Sequence, residues 1–458
     1  MTRQRHMKVA ASAVVMAIAV SALPAGAAIA QDGDFDWRAH EGQTITFLAN
    51  QHPWTDGLEA SGLLEQFTAD TGINVDLQPF SEDLYFDKMN QTVRTAEGTA
   101  DVYFLPLDAT AFTQWSADLV EPLSPYLDDP AKTSPDYDFA DFPEGFVGGV
   151  IYPPGEEDAQ LYGIPIAFEA YTVFYNQDHV DNYLGGELPE TMDELIAAAQ
   201  TINEAGAADG VAGAVMRGIR SDTIMDTLTG VVLNAVGDME TPTPYNVWFD
   251  GAWDAPRLDD PAVCKGLTDY AMMLAAGPVN KFAIDWPDAN TLFQQGRAAF
   301  FIDASLFGPG YEDPDQSLVA GKTGYMVMPP QEAAANSQTG HWLWGLGIPK
   351  NAANKDAGWY FIQYMTNPAN TAELGKWTGG APRMSSYLDE GYVESLVPEY
   401  ADTVADAMAD SRTTVVLREG WLGDPALAIV DTMLAIANGE DPEAACAAGN
   451  EALLAAVS

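Results

Sequence analysis

The strongest constraint on what this chain can fold into is a strand, helix, strand order that occurs twice. Ile45 to Asn50 is a short apolar strand, and Ala60, Leu63, Leu64 and Phe67 then recur at i, i+3, i+4 and i+7, one face of a helix. Thr71-Gly72 ends that helix, Ile73 to Leu77 alternates as a second strand, and Val102 to Leu105 is a third, closed by Pro106. Phe112, Trp115 and Leu119 mark the next helix. After Tyr162 the order repeats: Tyr171 to Tyr175 reads as a strand, and Thr191-x-x-Glu194 is a capping box opening a helix whose buried face is Met192, Leu195, Ile196 and Ala199. Asp260-Pro261, Asp424-Pro425 and Asp441-Pro442 each place a cap before a proline at a helix start. Ala298 to Ile302 and Gly345 to Ile348 are strand-like, and Gly358, Phe361, Ile362 and Met365 form a helical face stopped by Pro368. No short repeat, low-complexity tract or heptad interrupts this order. The expected fold is α/β, two units of parallel layers with helical trimming.

Residues 1–30 stand apart. Arg3, Arg5 and Lys8 precede an apolar run from Val9 to Leu23, and Ala28-Ile29-Ala30 supplies a small-residue exit, the pattern of a secretory signal peptide. No later segment has the roughly 18 uncharged apolar residues that a membrane span requires. The expected product is an exported, periplasmic protein cleaved near Ala30. No cysteine stands there to take a lipid anchor. The remaining length fits two domains on a prior of about 150 residues each.

Charge narrows the partners. The chain has 20 Lys and Arg against 67 Asp and Glu, a formal charge of −47, and loss of residues 1–30 removes three bases and no acid. Phosphate binding runs on Lys and Arg, so nucleic acid is excluded as a partner. Hydrophobic residues at 47% still supply a large core. Such a carboxylate surface suits a saline habitat, where cations screen it. Cys264 and Cys446 are the only cysteines. In an exported chain they are open to pairing, and the alternative is two buried thiols in helices.

A series of stretches carries a family resemblance. Phe67 to Val75 (FTADTGINV), Asp101-Val102-Tyr103-Phe104, Leu119-Val120-Glu121-Pro122-Leu123 and Leu161-Tyr162-Gly163-Ile164-Pro165 come first. Pro189 to Leu195, Phe293 to Asp303 (FQQGRAAFFID), Trp342 to Pro349 (WLWGLGIP) and Gly379-Gly380-Ala381-Pro382-Arg383 follow. In this order the chain resembles the extracellular solute-binding proteins of ABC-type carbohydrate importers, the family that includes maltose-binding protein. Met216-Arg217-Gly218, Asp303 and the Trp342, Trp344 pair are most similar to members that carry polyols or small sugars. Met192 replaces the family's usual Trp. The resemblance implies a two-lobed periplasmic binding protein fold (type II) with three crossings, near Phe168 to Tyr171, Trp342 to Gly345 and Val397 to Ala401. One lobe would hold 31–168 plus 345–397, the other 171–342 plus 398–458. It further implies a monomer that traps a neutral sugar or sugar alcohol by lobe closure and delivers it to membrane permease subunits, with no cofactor.

A sugar or polyol site needs flat aromatic surfaces and carboxylate or guanidinium groups. Ligands of open α/β sheets sit beyond strand carboxyl ends, which singles out Gln51, His52 and Trp54 after the first strand. Asp108 follows the third strand, where the resemblance implies a binding carboxylate; a helix cap is the plainer role. Glu169, in Ile166-Ala167-Phe168-Glu169-Ala170, matches the hinge glutamate of the maltose-binding members. Arg217 and Arg383 are scarce bases that call for specific partners, a structural ion pair being the plainer role of Arg383. Trp286, Asp303, Trp342, Trp344, Gly380 and Trp421 complete the set, with Trp421 at the family's stacking position. Leu306 and Phe307 stand where maltose-binding protein has a further stacking Trp, which argues against maltodextrins.

Two other classes compete. A secreted glycosidase would use paired carboxylates in an aromatic cleft, but no G-x-S-x-G or H-E-x-x-H occurs. A receptor for a polyamine or another cation would suit the acidity, but Arg217 opposes it. Gly321-Lys322-Thr323 ends like a phosphate loop, yet Gln316 stands where its first glycine belongs. Asp32, Asp34 and Asp36 imitate a calcium loop, but Trp37 and Gln43 occupy its glycine and glutamate positions. A flexible acidic terminus is the expectation there, with no metal.

Overall fold

The structure, a computed structural model, describes residues 35–458 except 108, 109, 242, 334 and 415 and the side chains of Glu82 and Asp83. The expected signal peptide, Asp32, Asp34 and Asp108 therefore lie outside the described residues. Eleven strands follow in order among them: β1 (Thr44–Asn50), β2 (Asn74–Phe80), β3 (Val102–Pro106), β4 (Ile151–Tyr152), β5 (Gln160–Leu161), β6 (Ile164–Asn176), β7 (Ala212–Val215), β8 (Ala298–Ala304), β9 (Thr323–Met326), β10 (Thr339–Gly347) and β11 (Ser411–Thr413). The main sheet runs β2-β1-β3-β10-β6-β8-β7, with β9 on β6 and β11 on β10. β1 is parallel to β2 and β3, and β7 is parallel to β8. The purely parallel expectation fails at the centre, where β10 runs antiparallel to β3 and β6, and β6 antiparallel to β8 and β9. Those strands are the long connections that cross the molecule, and alternating apolar residues do not reveal direction.

β6 is the pivot. All 13 of its residues are buried, as a strand covered on both faces requires. Residues Ile164 to Ala170 pair with β10, whereas Tyr171 to Asn176 pair with β8 and β9. The strand therefore changes partners between Ala170 and Tyr171. Ser305 braces this point: its hydroxyl accepts from Ala170 N–H at 3.1 Å, and its carbonyl accepts from the Tyr400 hydroxyl at 2.7 Å. β10 has a register shift between Trp344 and Gly345.

The helix starts follow their caps. Thr191 Oγ1 accepts from Glu194 N–H at 3.3 Å, and Glu194 Oε2 accepts in return from Glu190 N–H at 2.8 Å. Asp260 Oδ1 accepts from Ala262 N–H at 2.9 Å before Pro261. Each such cap is worth about 1 kcal/mol. The expected helix through Ala60 and Phe67 is two helices, Pro53–Ala60 and Leu63–Thr71. Gly62, at φ 76°, turns the chain left-handed between them, a conformation that costs glycine nothing. Nor does the chain stay loose at Phe35 and Trp37, whose rings pack 5.3 and 5.8 Å from Tyr360. That docking holds the chain from Phe35 onward, while Asp32 and Asp34 of the expected flexible terminus lie outside the described residues. Among the described residues no helix is long and apolar enough to cross a membrane.

Cys264 and Cys446 form a disulfide, with Cα atoms 5.9 Å apart. It joins helix Pro261–Ala275 to the last helix, Pro442–Val457, and settles the question between bridge and free thiols.

Candidate functional site

β6 and β10 build the centre of the site by simple alternation. Opposed residues of an antiparallel pair share a face, and successive residues of a strand take opposite faces. Trp342 pairs with Glu169 and Trp344 with Ala167, so Glu169, Trp342 and Trp344 lie on one face. There Trp344 Nε1–H donates to Glu169 Oε1 at 2.8 Å. His52 Nε2 lies 3.5 Å from the same oxygen. His52 is placed by capping helix Pro53–Ala60, where its Nδ1 accepts Trp54 N–H at 3.1 Å. With Nδ1 an acceptor, the neutral imidazole carries its proton on Nε2, directed at Glu169.

A cavity of about 190 Å³ opens beside Trp342. Its other walls include Thr110 beyond β3, Asp226 in helix Met225–Val236, Thr414, Arg418 and Trp421. The Trp342 indole Nε1 is buried with no hydrogen-bond partner among the described residues. An unmet buried donor costs about 1–3 kcal/mol. Trp342 lines the cavity, while its Nε1 lies out of reach of solvent, so a shift of the wall would be needed to bring that N–H to a ligand oxygen.

A second constellation stands at the carboxyl ends of β7 and β8. Arg217 Nε–H and Nη2–H donate to Asp303 Oδ2 and Oδ1 at 2.8 and 2.5 Å, and Nη1–H donates to Thr223 O at 2.6 Å. The Thr223 hydroxyl donates to Asp285 Oδ1 at 3.0 Å, and the same oxygen caps Trp286 N–H at 2.8 Å. The Trp286 ring stacks on Phe307, 5.9 Å between centroids. Burial pulls the Arg217 guanidinium down, but Asp303 more than reverses this and the net shift is well upward. Tyr171 links the two constellations. Burial, the largest cause, raises its hydroxyl well above the usual range; Asp226, Glu169 and Asp303 add to the rise and Arg217 opposes it.

Several sequence candidates lie elsewhere than expected. Trp54 is not in a loop: Pro53 starts the helix, and the Trp54 side chain turns into the core, 1% exposed, between Phe47 and Phe104. Asp303, 0% exposed, accepts from Arg217 and from Ala304 N–H and so positions the arginine. Arg383 is fully buried; it donates to the carbonyls of Thr366, Asp138 and Tyr137 and lies over the Phe142 ring at 3.9 Å. Its partners are mainly backbone, with Asp141 at 3.4 Å. Gly380 does not line the cavity beside Trp342 either. Its carbonyl accepts from Phe168 N–H at 2.9 Å, and a Cβ there would stand 1.9 Å from Phe168 O. Gln51 is exposed outside the cavity wall. Sequence reading passed over Thr110, Asp226, Thr414 and Arg418 in that wall. Position after β3 was a usable signal for Thr110, and the scarcity of bases for Arg418.

The opposite face of the β6, β10 pair carries His341 against Phe168 and Phe146, with Nδ1 2.8 Å from Ser411 Oγ. Burial pushes its pKa down to about 3. Above pH ~6.5 the imidazole is neutral folded and unfolded, so it makes no difference to stability. As pH falls below that value, the unfolded chain takes a proton that the fold refuses, and stability drops by up to about 1.4 kcal/mol per pH unit. His341→Gln is expected to remove roughly 2 kcal/mol of the loss between pH 6.5 and 5 in urea titrations. Identical pH profiles for the two proteins would refute this.

Residues 53–372 match the model of the bacterial extracellular solute-binding proteins. The chain belongs to this family. It is 29% identical over 392 residues to the erythritol/L-threitol-binding protein of Mycolicibacterium smegmatis, covering 83% of this chain and 74% of the relative. The mannitol-binding protein of Pseudomonas aeruginosa is 29% identical over 212 residues, 46% of each chain. Among solved structures, the solute-binding protein of Agrobacterium radiobacter K84 in complex with ribitol superposes with a TM-score of 0.72 at 20% identity, covering 90% of this chain and 98% of that one. The Agrobacterium vitis S4 protein with bound D-mannitol gives 0.68 at 21%, covering 90% and 97%. This solute-binding protein thus has the two-lobed α/β fold of periplasmic binding proteins. Among the described residues no group of His, Cys, Asp or Glu is arranged to hold a metal ion.

Proposed function

We propose that this receptor captures a small polyol of four to six carbons between its lobes and delivers it to the membrane subunits of an ABC importer. The carrying observation is the cavity of about 190 Å³ beside Trp342, walled also by Thr110, Asp226, Thr414 and Trp421. That volume is below the roughly 300 Å³ at which sites for drug-sized ligands begin, which favours a short polyol over an oligosaccharide. Every polyol hydroxyl both donates and accepts. In that wall Trp342 Nε1 would serve as a donor, Asp226 as an acceptor and the Thr110 and Thr414 hydroxyls as both, while Glu169 Oε2 and the remaining N–H groups of Arg217, which do not line the cavity, would meet the ligand on lobe closure. Trp421 offers the carbon chain an apolar surface. The names of the erythritol/L-threitol-binding and mannitol-binding relatives support the same class.

The change of strand partners between Ala170 and Tyr171 supports lobes of 31–168 plus 345–397 and 171–342 plus 398–458, closing by rotation about β6 and β10. The receptor would act as an exported, periplasmic monomer and return its ligand unchanged.

Calorimetric titration with erythritol, threitol, ribitol, mannitol, maltose and spermidine tests the reading, with product chromatography on the tightest ligand. Saturable binding of at least one polyol without turnover is expected. Binding of maltose or spermidine alone, or steady product formation, would overturn it. Trp342→Phe keeps the ring and removes the donor, so polyol affinity is expected to fall about fivefold to tenfold, the worth of one hydrogen bond near 1 kcal/mol. Wild-type affinity in this variant would remove Trp342 Nε1 from the site.

A further inference from the structure

We infer that the C-terminal helix scaffolds one wall of the cavity and that Arg418 is the positioning residue joining the two. Residues 416–422 supply Val416, Leu417, Arg418, Gly420, Trp421 and Leu422 to that wall, yet they form neither helix nor strand. A segment without regular structure keeps its shape only through its anchors. Leu417 N–H donates to Pro244 O at 3.0 Å, and Trp421 N–H closes a turn onto Arg418 O at 3.2 Å.

Ala426 N–H donates to Trp421 O at 3.2 Å, and the anchor supplied by a side chain is that of Arg418. Its Nη2–H donates to the carbonyl of Val457, in the last turn of helix Pro442–Val457. Last-turn carbonyls lack intrahelical donors and carry the negative end of the helix dipole, so a guanidinium suits them. The same guanidinium lies 4.6 Å from the Trp253 ring centroid. Trp253 packs against Phe249 at 5.0 Å, and Phe249 against Trp421 at 6.2 Å. Arg418 therefore holds Trp421 both through the turn and through a chain of rings.

The helix at the far end is itself fixed. Cys446 is bonded to Cys264, Asn450 Oδ1 accepts from Leu258 N–H at 2.9 Å, and Gly449 packs on the Thr432 side chain. A bond about three turns along the helix from Val457, the residue that Arg418 holds, thereby sets how firmly the cavity wall stands. This deepens the polyol reading, but its test does not depend on that reading.

Hydrogen exchange of residues 416–422 in the full-length protein without ligand is the decisive measurement. Arg418→Ala is expected to speed exchange there about tenfold, the effect of losing one anchor near 1.4 kcal/mol. Arg418→Lys, which keeps a donor for Val457 O, should recover most of the protection. Replacing both cysteines by serine should speed the same amides, and adding Arg418→Ala to that protein should then change little, because coupled sites are not additive. Unchanged exchange in Arg418→Ala, or fully additive effects, would overturn the inference. The polyol bound best by the wild type should bind Arg418→Ala about tenfold more weakly. If the wild type binds no polyol, the functional reading fails while exchange still decides the scaffold.

Discussion

Asp303→Ala is expected to destabilise the protein by about 3–5 kcal/mol, the cost of leaving one partner of a buried ion pair alone. Both groups are out of water, Arg217 at 7% and Asp303 at 0% exposure. The carboxylate meets two guanidinium N–H groups in parallel, a geometry that a single point charge cannot reproduce. Without it, the guanidinium keeps only Thr223 O among its described side-chain hydrogen bonds. Removing both charges at once should cost far less, since a buried pair can be replaced by apolar groups at little loss. Arg217→Met with Asp303→Leu is therefore expected to recover most of the stability but not the polyol affinity. Urea unfolding at unchanged slope measures the first effect, and titration the second. A loss below about 1 kcal/mol in Asp303→Ala would show that water reaches the pair and solvates the arginine.

This ion pair also shows what the sequence makes legible and what it hides. Arg217 and Arg383 look alike in the chain, each a scarce base after a run of apolar or small residues. Their partners distinguish them: Asp303 lies 86 residues from Arg217, and Asp138 and Tyr137 lie about 245 from Arg383. No local pattern encodes such separations. Helix starts were legible because a cap and a following proline act within four residues, as at Asp260-Pro261 and Asp441-Pro442. Strand positions were legible from apolar runs, but their direction was not, which is why antiparallel β6 and β10 escaped.

Within the candidate site the same division holds. Glu169 and Trp344 were found through the family resemblance and do meet, at 2.8 Å. His52 and Trp54 are two residues apart and were read together, yet one reaches Glu169 and the other fills the core. Pro53 separates them: it fixes the first helical residue, so His52 stays outside as the cap and Trp54 rotates inward. Asp226 and Thr414 belong to no motif, and only the folded chain brings them to one wall.

Replacing Cys264 and Cys446 by serine is expected to cost about 4–5 kcal/mol, the other large effect. The two residues are 182 apart in sequence, so the bridge restrains a very long loop in the unfolded chain. The chain-entropy relation gives roughly 5 kcal/mol at that length, at the top of the range for native disulfides. The enclosed stretch contains β8, β9, β10 and β11 together with the passage of the chain through β10 and back. If helix Pro442–Val457 docks on helix Pro261–Ala275 by the transition state, the unbridged chain must close that long loop on the way there. The loss should therefore appear mainly as slower refolding, with a smaller change in the unfolding rate, as expected for a contact that acts on the unfolded ensemble. Stopped-flow refolding and unfolding of the serine variant separate the two limbs. If unfolding accelerates by the full amount and refolding is unchanged, the bridge acts instead by holding the native C-terminal helix in place. That outcome would shift its importance from chain entropy to the scaffold that supports Arg418.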